Sequence, residues 1–148
     1  RSVETVGAPP RRGPVILAAS HLNGFVDPVL LVAKLGLLPR FLAKATLWQV
    51  APARPFLGFA RVIPVQRSQD TDGVVDNRRT FQRAVDALAD EHLVAIFPEG
   101  TTHDDPVIRP LRTGVSRIAI QAVGHQVKGV AVPHPVKGRA IAFQRAPF

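Results

Sequence analysis

The sequence predicts an α/β domain, a mostly parallel central sheet flanked by helices in layers. Short apolar runs of strand length alternate along the chain with segments whose apolar residues recur at helical spacing, which is the pattern of successive β-α-β units. A length of 148 residues suits one domain, so residues 1–148 read as a single unit. With 46% hydrophobic and 20% charged residues, the composition supports a packed core and excludes disordered and collagen-like classes.

Residues 1–14 are rich in Pro, Gly and Arg and read as a loop, after which Val15–Ala19 forms an apolar run suited to a buried strand. Asp27-Pro28 reads as an N-cap followed by proline at the first helical position, so a helix is expected over Val29–Leu37, stopping near Gly36 and Pro39. A strand follows near Phe41 and Leu42. The whole stretch Val29–Leu42 reads as a buried helix running into a strand, with an interfacial surface as the alternative. Residues 45–60 read as short helical pieces divided by Pro52 and Pro55. Arg61–Val65 reads as a strand whose Pro64 argues for an edge or a bulge. From Asp72 to about Glu91, Val74, Phe81, Ala84, Val85 and Leu88 recur at spacings of three, four and seven, predicting an amphipathic helix. Leu93–Phe97 is a fully apolar strand, and a loop runs from Pro98 to about Pro110. A helix over Thr113–Val123 ends at Gly124, and strands at Val127–Val132 and Ala140–Phe143 close the chain. In such a sheet, ligands gather at the carboxyl ends of the strands.

Charge and composition narrow the function. Lys and Arg number 19 against 11 Asp and Glu, a formal net charge of +8 that favours anionic partners. The excess is spread over both halves, +5 in residues 1–74 and +3 in residues 75–148. There is no tyrosine and no interleaving of aromatic and basic residues, which argues against a nucleic-acid partner. Zero cysteines exclude disulfides, thiol nucleophiles, thiolate zinc sites and Cys-bound iron–sulfur clusters. No apolar run reaches the roughly 18 to 20 residues of a membrane-spanning helix. Methionine is absent even at position 1, so the chain reads as a segment of a longer protein with flanking elements still to be added.

Three places could carry chemistry. His21 stands just beyond the first strand, where an imidazole is placed to act as a general base near neutral pH. Asp27 is its obvious partner, but six residues on one helix would turn the two side chains apart, so they can meet only across the Asn23-Gly24 turn. The alternatives are a satisfied loop histidine and an aspartate that merely caps a helix. Glu99-Gly100-Thr101 leaves a buried strand through a glycine turn, where backbone N–H groups and hydroxyls can cradle a phosphate, or it is a plain strand exit. Arg67, at the end of another strand, is either a bidentate phosphate contact or a solvated charge. His103-Asp104-Asp105 lacks a second histidine and is assigned no metal. Trp48 reads as a core or interface residue.

Taken together and in order, these segments resemble the glycerolipid acyltransferase family over nearly the whole chain. The first block is the His21–Asp27 pair, here separated by five residues where the family usually has four, in a form similar to fungal-type glycerol-3-phosphate and dihydroxyacetone-phosphate acyltransferases. The second is Arg61-Val62-Ile63-Pro64-Val65-Gln66-Arg67, with Arg61 in place of the usual glycine. The third is Phe97-Pro98-Glu99-Gly100-Thr101, and the fourth Val132-Pro133. The resemblance implies that His21 deprotonates a glycerol hydroxyl, that Asp27 orients His21, and that the oxygen attacks the thioester of acyl-CoA or acyl carrier protein. Arg67, Glu99, Gly100 and Thr101 would hold the phosphate of the acceptor, glycerol 3-phosphate or lysophosphatidate, in phospholipid biosynthesis. It implies no cofactor beyond the acyl donor, a peripheral membrane contact at the cytoplasmic face, and a membrane-associating segment before the first block. Two rival classes use the same residues: an acyl thioester hydrolase in which His21 activates water, and a non-catalytic module that binds lipid phosphate.

Overall fold

A computed structural model describes residues 13–21, 26–36, 38–66, 76–101, 109–125, 131–132 and 144–145. The sheet contains β1 (Val15–Ala18), β2 (Arg40–Lys44), β3 (Ile63–Val65), β4 (Leu93–Ile96), β5 (Ala131–Val132) and β6 (Gln144–Arg145), in the spatial order β3-β2-β4-β1-β5-β6. β1 to β5 run parallel and β6 pairs antiparallel with β5. The helices are α1 (Val26–Leu35), α2 (Arg54–Phe59), α3 (Arg78–Ala89) and α4 (Gly114–Gly124). The expected layered α/β architecture with a mostly parallel sheet is what the chain adopts.

The core divides by strand parity, because successive side chains point to opposite faces. Ile16, Leu42, Ile63 and Val94 form one cluster with Ala84, Val85 and Leu88 of α3 and Ile118 and Ala122 of α4. Val15, Leu17, Phe41 and Ala95 form another with Leu31 of α1. Burial on both faces is why β1 and β4 read as unbroken apolar runs.

Several elements depart from the sequence expectation for identifiable reasons. α1 begins at Val26, so Asp27 lies in its first turn instead of capping it, a position where a carboxylate still complements the helix dipole. The helix does stop at Gly36, whose φ of +63° suits a residue without a side chain. It is only half-buried: Leu31 is inside, while Val26, Val29, Leu30 and, beyond the helix, Leu38 are exposed. The pieces in residues 45–60 are two 3₁₀ turns, Ala45–Gln49 and Ala51–Ala53, followed by α2. Pro52 and Pro55 sit in the first turns of these pieces, where a missing N–H costs nothing. β3 is shorter than Arg61–Val65, because Arg61 takes a left-handed φ of +47° and closes the turn off α2 with an N–H bond to the Gly58 carbonyl. As Pro64 required, β3 is an edge strand.

α3 starts at Arg78 because the preceding side chains are engaged elsewhere. Asp76 Oδ1 accepts the Arg78 N–H at 2.9 Å, and Asn77 pairs its amide with both backbone groups of Gln66 at 3.0 and 3.1 Å. Asp72 and Val74, expected in this helix, lie outside the described residues. So do positions 127–130 of the fifth predicted strand and all of Ala140–Phe143; β6 forms at Gln144–Arg145, which carries no apolar signal.

Candidate active site

The parallel neighbours β1 and β4 end side by side, with Ala18 paired to Ile96. One more rung, the Ala19 N–H to the Ile96 carbonyl at 3.2 Å, carries the pairing past both strands. Ser20 and His21 therefore leave the sheet next to Phe97, Pro98 and Glu99. This is the carboxyl end of the sheet, where strand-end loops converge.

His21 is held on two sides. Its ring stacks on Phe97 with centroids 4.0 Å apart and planes 17° from parallel, and Phe97 in turn stacks at 6.3 Å on Phe41 of β2. Its Nδ1 faces Asp27 Oδ2 at 3.3 Å. The histidine is 8% exposed, and Asp27 meets it from the first turn of α1; the Asn23-Gly24 turn expected between them lies outside the described residues. A carboxylate beside Nδ1 favours the tautomer that carries its proton there, which makes Nε2 the basic nitrogen. At 3.3 Å the contact is longer than a well-formed charge-assisted bond.

Glu99 is 3% exposed and accepts the Ser20 hydroxyl proton at 2.6 Å, a short bond between residues 79 positions apart. Ser20 thus gives its hydrogen to Glu99 and not to the neighbouring imidazole. That commitment argues against Ser20 as a nucleophile activated by His21.

The turn after β4 closes through the Gly100 N–H to the Phe97 carbonyl at 3.1 Å. Gly100 has a φ of +69°, and a Cβ there would lie 2.7 Å from Arg112 Nε and 2.8 Å from its Cδ. Glycine is needed both for the conformation and for the close passage of Arg112. The Arg112 N–H also donates to the Pro98 carbonyl at 2.7 Å, fixing the segment before α4 against this turn.

Of the residues singled out in the sequence, the structure brings together His21, Asp27, Glu99, Gly100 and, beside Gly100, the partly buried Thr101. Arg67 lies outside the described residues. Its neighbour Gln66, at the same end of the sheet beyond β3, is clamped by Asn77. His103, Asp104, Asp105 and Pro133 also lie outside them. Sequence reasoning gave no site role to Ser20, which adjoins the first block, to Phe97, which opens the third, or to Arg112, noted only within the Leu111-Arg112-Thr113-Gly114 stretch of the resemblance; the strand order shows that they converge.

A buried imidazole beside a carboxylate at the carboxyl end of a parallel sheet, next to a glycine turn with a buried glutamate, is an arrangement able to serve base-catalysed transfer or hydrolysis. The sequence model of the Acyltransferase family matches residues 2–137, and the chain belongs to that family. A stretch of 49 residues, 33% of the chain, is 45% identical to glycerol-3-phosphate O-acyltransferase 2 of Saccharomyces cerevisiae. The match spans 7% of that relative's length. No solved structure matches the chain.

Proposed function

We propose that the chain transfers a fatty acyl group from acyl-CoA or acyl carrier protein to a hydroxyl of a phosphorylated glycerol. The observation that carries this reading is the His21–Asp27 pair seated beside the Glu99–Thr101 turn. His21 Nε2 takes the proton of the acceptor hydroxyl as its oxygen attacks the thioester carbonyl. Asp27 stabilises the imidazolium that forms. As the tetrahedral intermediate collapses, the carbon–sulfur bond breaks and the leaving sulfur takes the proton back from His21.

The acceptor's phosphate is held by the Glu99-Gly100-Thr101 turn with Arg67 and Arg112. Arg112, whose stem covers Gly100, makes no ion pair with the described residues, so its guanidinium is available for a bidentate phosphate contact. Glycerol 3-phosphate is the preferred acceptor, supported by the yeast relative's name. Val26, Val29 and Leu30 are exposed at helical spacing beside Asp27, which supports a peripheral bilayer contact at the cytoplasmic face next to the reaction centre. Among the described residues no helix is long and apolar enough to cross a membrane.

The test is thiol release from a long-chain acyl-CoA, with and without glycerol 3-phosphate or lysophosphatidate, for the wild type and His21→Ala. Release that requires an acceptor and disappears in the variant is expected. Release without acceptor would replace this reading with a thioester hydrolase, and acceptor-dependent release that survives in His21→Ala would remove His21 from its role.

A further inference from the structure

On the face of the sheet that packs α3, the apolar core gives way to charge at its amino edge. The β2–β3 register pairs Leu42 with Ile63, and Arg40 at the start of β2 and Arg61 in the turn before β3 line one cleft. Strand parity puts Arg40 on the same face as Leu42. α3 is pinned at its start to the far end of β3, by Asn77 to Gln66 and by the Thr80 hydroxyl to the Pro64 carbonyl at 2.8 Å. It then runs back along the strand and brings Arg83 and Asp86 to the same edge. Together with Val62, Ile63 and Pro64, these four charged residues line a cleft of about 300 Å³. It opens at the amino ends of β2 and β3, whereas His21 lies at the carboxyl end of the sheet.

The charge in this cleft is unbalanced. Among the described residues, Arg40, Arg61 and Arg83 have no carboxylate at ion-pair distance. Asp86, the one acid in the lining, accepts the Gln82 amide at 2.9 Å, and the four groups sum to a formal +2. Arg61 and Arg83 are exposed and Arg40 half-buried, so the three leave a net positive charge at the open cleft, and guanidinium geometry matches the oxygens of a phosphate. The position of Arg61 adds an independent observation. It holds a left-handed φ of +47°, a conformation that glycine adopts without penalty and a long side chain does not. The chain thus bears a left-handed backbone at one of the three arginines that line the cleft.

We propose that this cleft is a phosphate-binding site separate from the reaction centre. Its ligand is a phosphate monoester, carried by a lipid headgroup or by a soluble molecule. Phe56 and Phe59 of α2, just before Arg61, are both exposed and would enter a bilayer beside a headgroup bound there.

The test uses Arg61→Gly, Arg83→Gln and the double variant. Inorganic phosphate is titrated into the chain by calorimetry, and flotation is measured with phosphatidylcholine vesicles with and without phosphatidic acid. Arg61→Gly is expected to melt at or above the wild-type temperature, since it relieves the strain, so lost binding cannot be ascribed to unfolding. Each substitution is expected to weaken binding roughly tenfold, whereas His21→Ala leaves it unchanged. Flotation that needs phosphatidic acid and is lost in the double variant assigns a lipid headgroup. Phosphate binding lost in the double variant, without flotation, assigns a soluble ester. If the double variant alters neither readout, the proposal is wrong.

Discussion

Replacing Asp27 by Asn tests the chemistry of the His21 pair while keeping its shape. In the proposed transfer the imidazole becomes an imidazolium, and the carboxylate oxygen 3.3 Å from Nδ1 stabilises that charge only once it has formed. Two unit charges at 3.3 Å attract by about 1.3 kcal/mol at the dielectric of water and by about 5 kcal/mol at an effective dielectric of 20. The Asp27 side chain is 24% exposed and the His21 side chain 10%, so the pair lies between these limits. The corresponding loss of kcat is between roughly tenfold and a few thousandfold, and about two to three powers of ten is expected. KM for the acceptor should hardly move, because the interaction strengthens only in the transition state. Steady-state thiol release by Asp27→Asn, with circular dichroism to establish folding, measures the effect. A folded variant within threefold of the wild-type kcat would show that Asp27 does no more than begin α1.

Three further substitutions probe the surrounding structure. Gly100→Ala forces a side chain into a left-handed backbone and against Arg112, and should cost about 2 kcal/mol, lowering the melting temperature by roughly 4–8 °C. Adding Arg112→Ala should restore only the part due to the clash, so a single variant that melts with the wild type would contradict the geometry. Asn77→Ala removes the clamp on Gln66 and is expected to raise KM for the phosphorylated acceptor several-fold with little change in kcat; an unchanged KM would mean that this exit does not touch the acceptor. Leu88→Ala empties a fully buried position between α3 and the sheet, and chemical denaturation should report a loss of about 2–5 kcal/mol.

How much of the fold is written in the chain depends on which faces a segment buries. β1 and β4 were legible because both faces are covered, leaving Val15, Ile16 and Leu17, and Val94 and Ala95, apolar without interruption. α3 was legible because one face packs and the other is solvated, which imposes helical periodicity. The course of α1 was not. Val29 and Leu30 have the composition of core residues but lie exposed, and hydrophobicity alone does not say which apolar residues of a helix meet the sheet. β6 was hidden for a related reason, since Gln144 and Arg145 pair through backbone groups that every sequence carries.

The reaction centre shows why a motif list falls short of a site. His21 and Asp27 lie close in sequence, and the Asn23-Gly24 signal already allowed them to meet. The bond from Ser20 to Glu99 spans 79 positions and follows from topology: the chain leaves β1, builds β2 and β3 outward, and returns to insert β4 between β1 and β2. That insertion makes the first and third sequence blocks adjacent strand exits, and it places Phe97 where it can support both His21 and Phe41. The same topology leaves β3 at the edge, with its end near Arg67 tied by Asn77 and its start shaped by the left-handed Arg61. In the second block, therefore, Arg61, where the family usually has glycine, stands before the amino end of this short strand. A substitution there can add a binding surface at the amino edge without disturbing the reaction centre, which explains how Arg61 is tolerated where a smaller residue would be less strained.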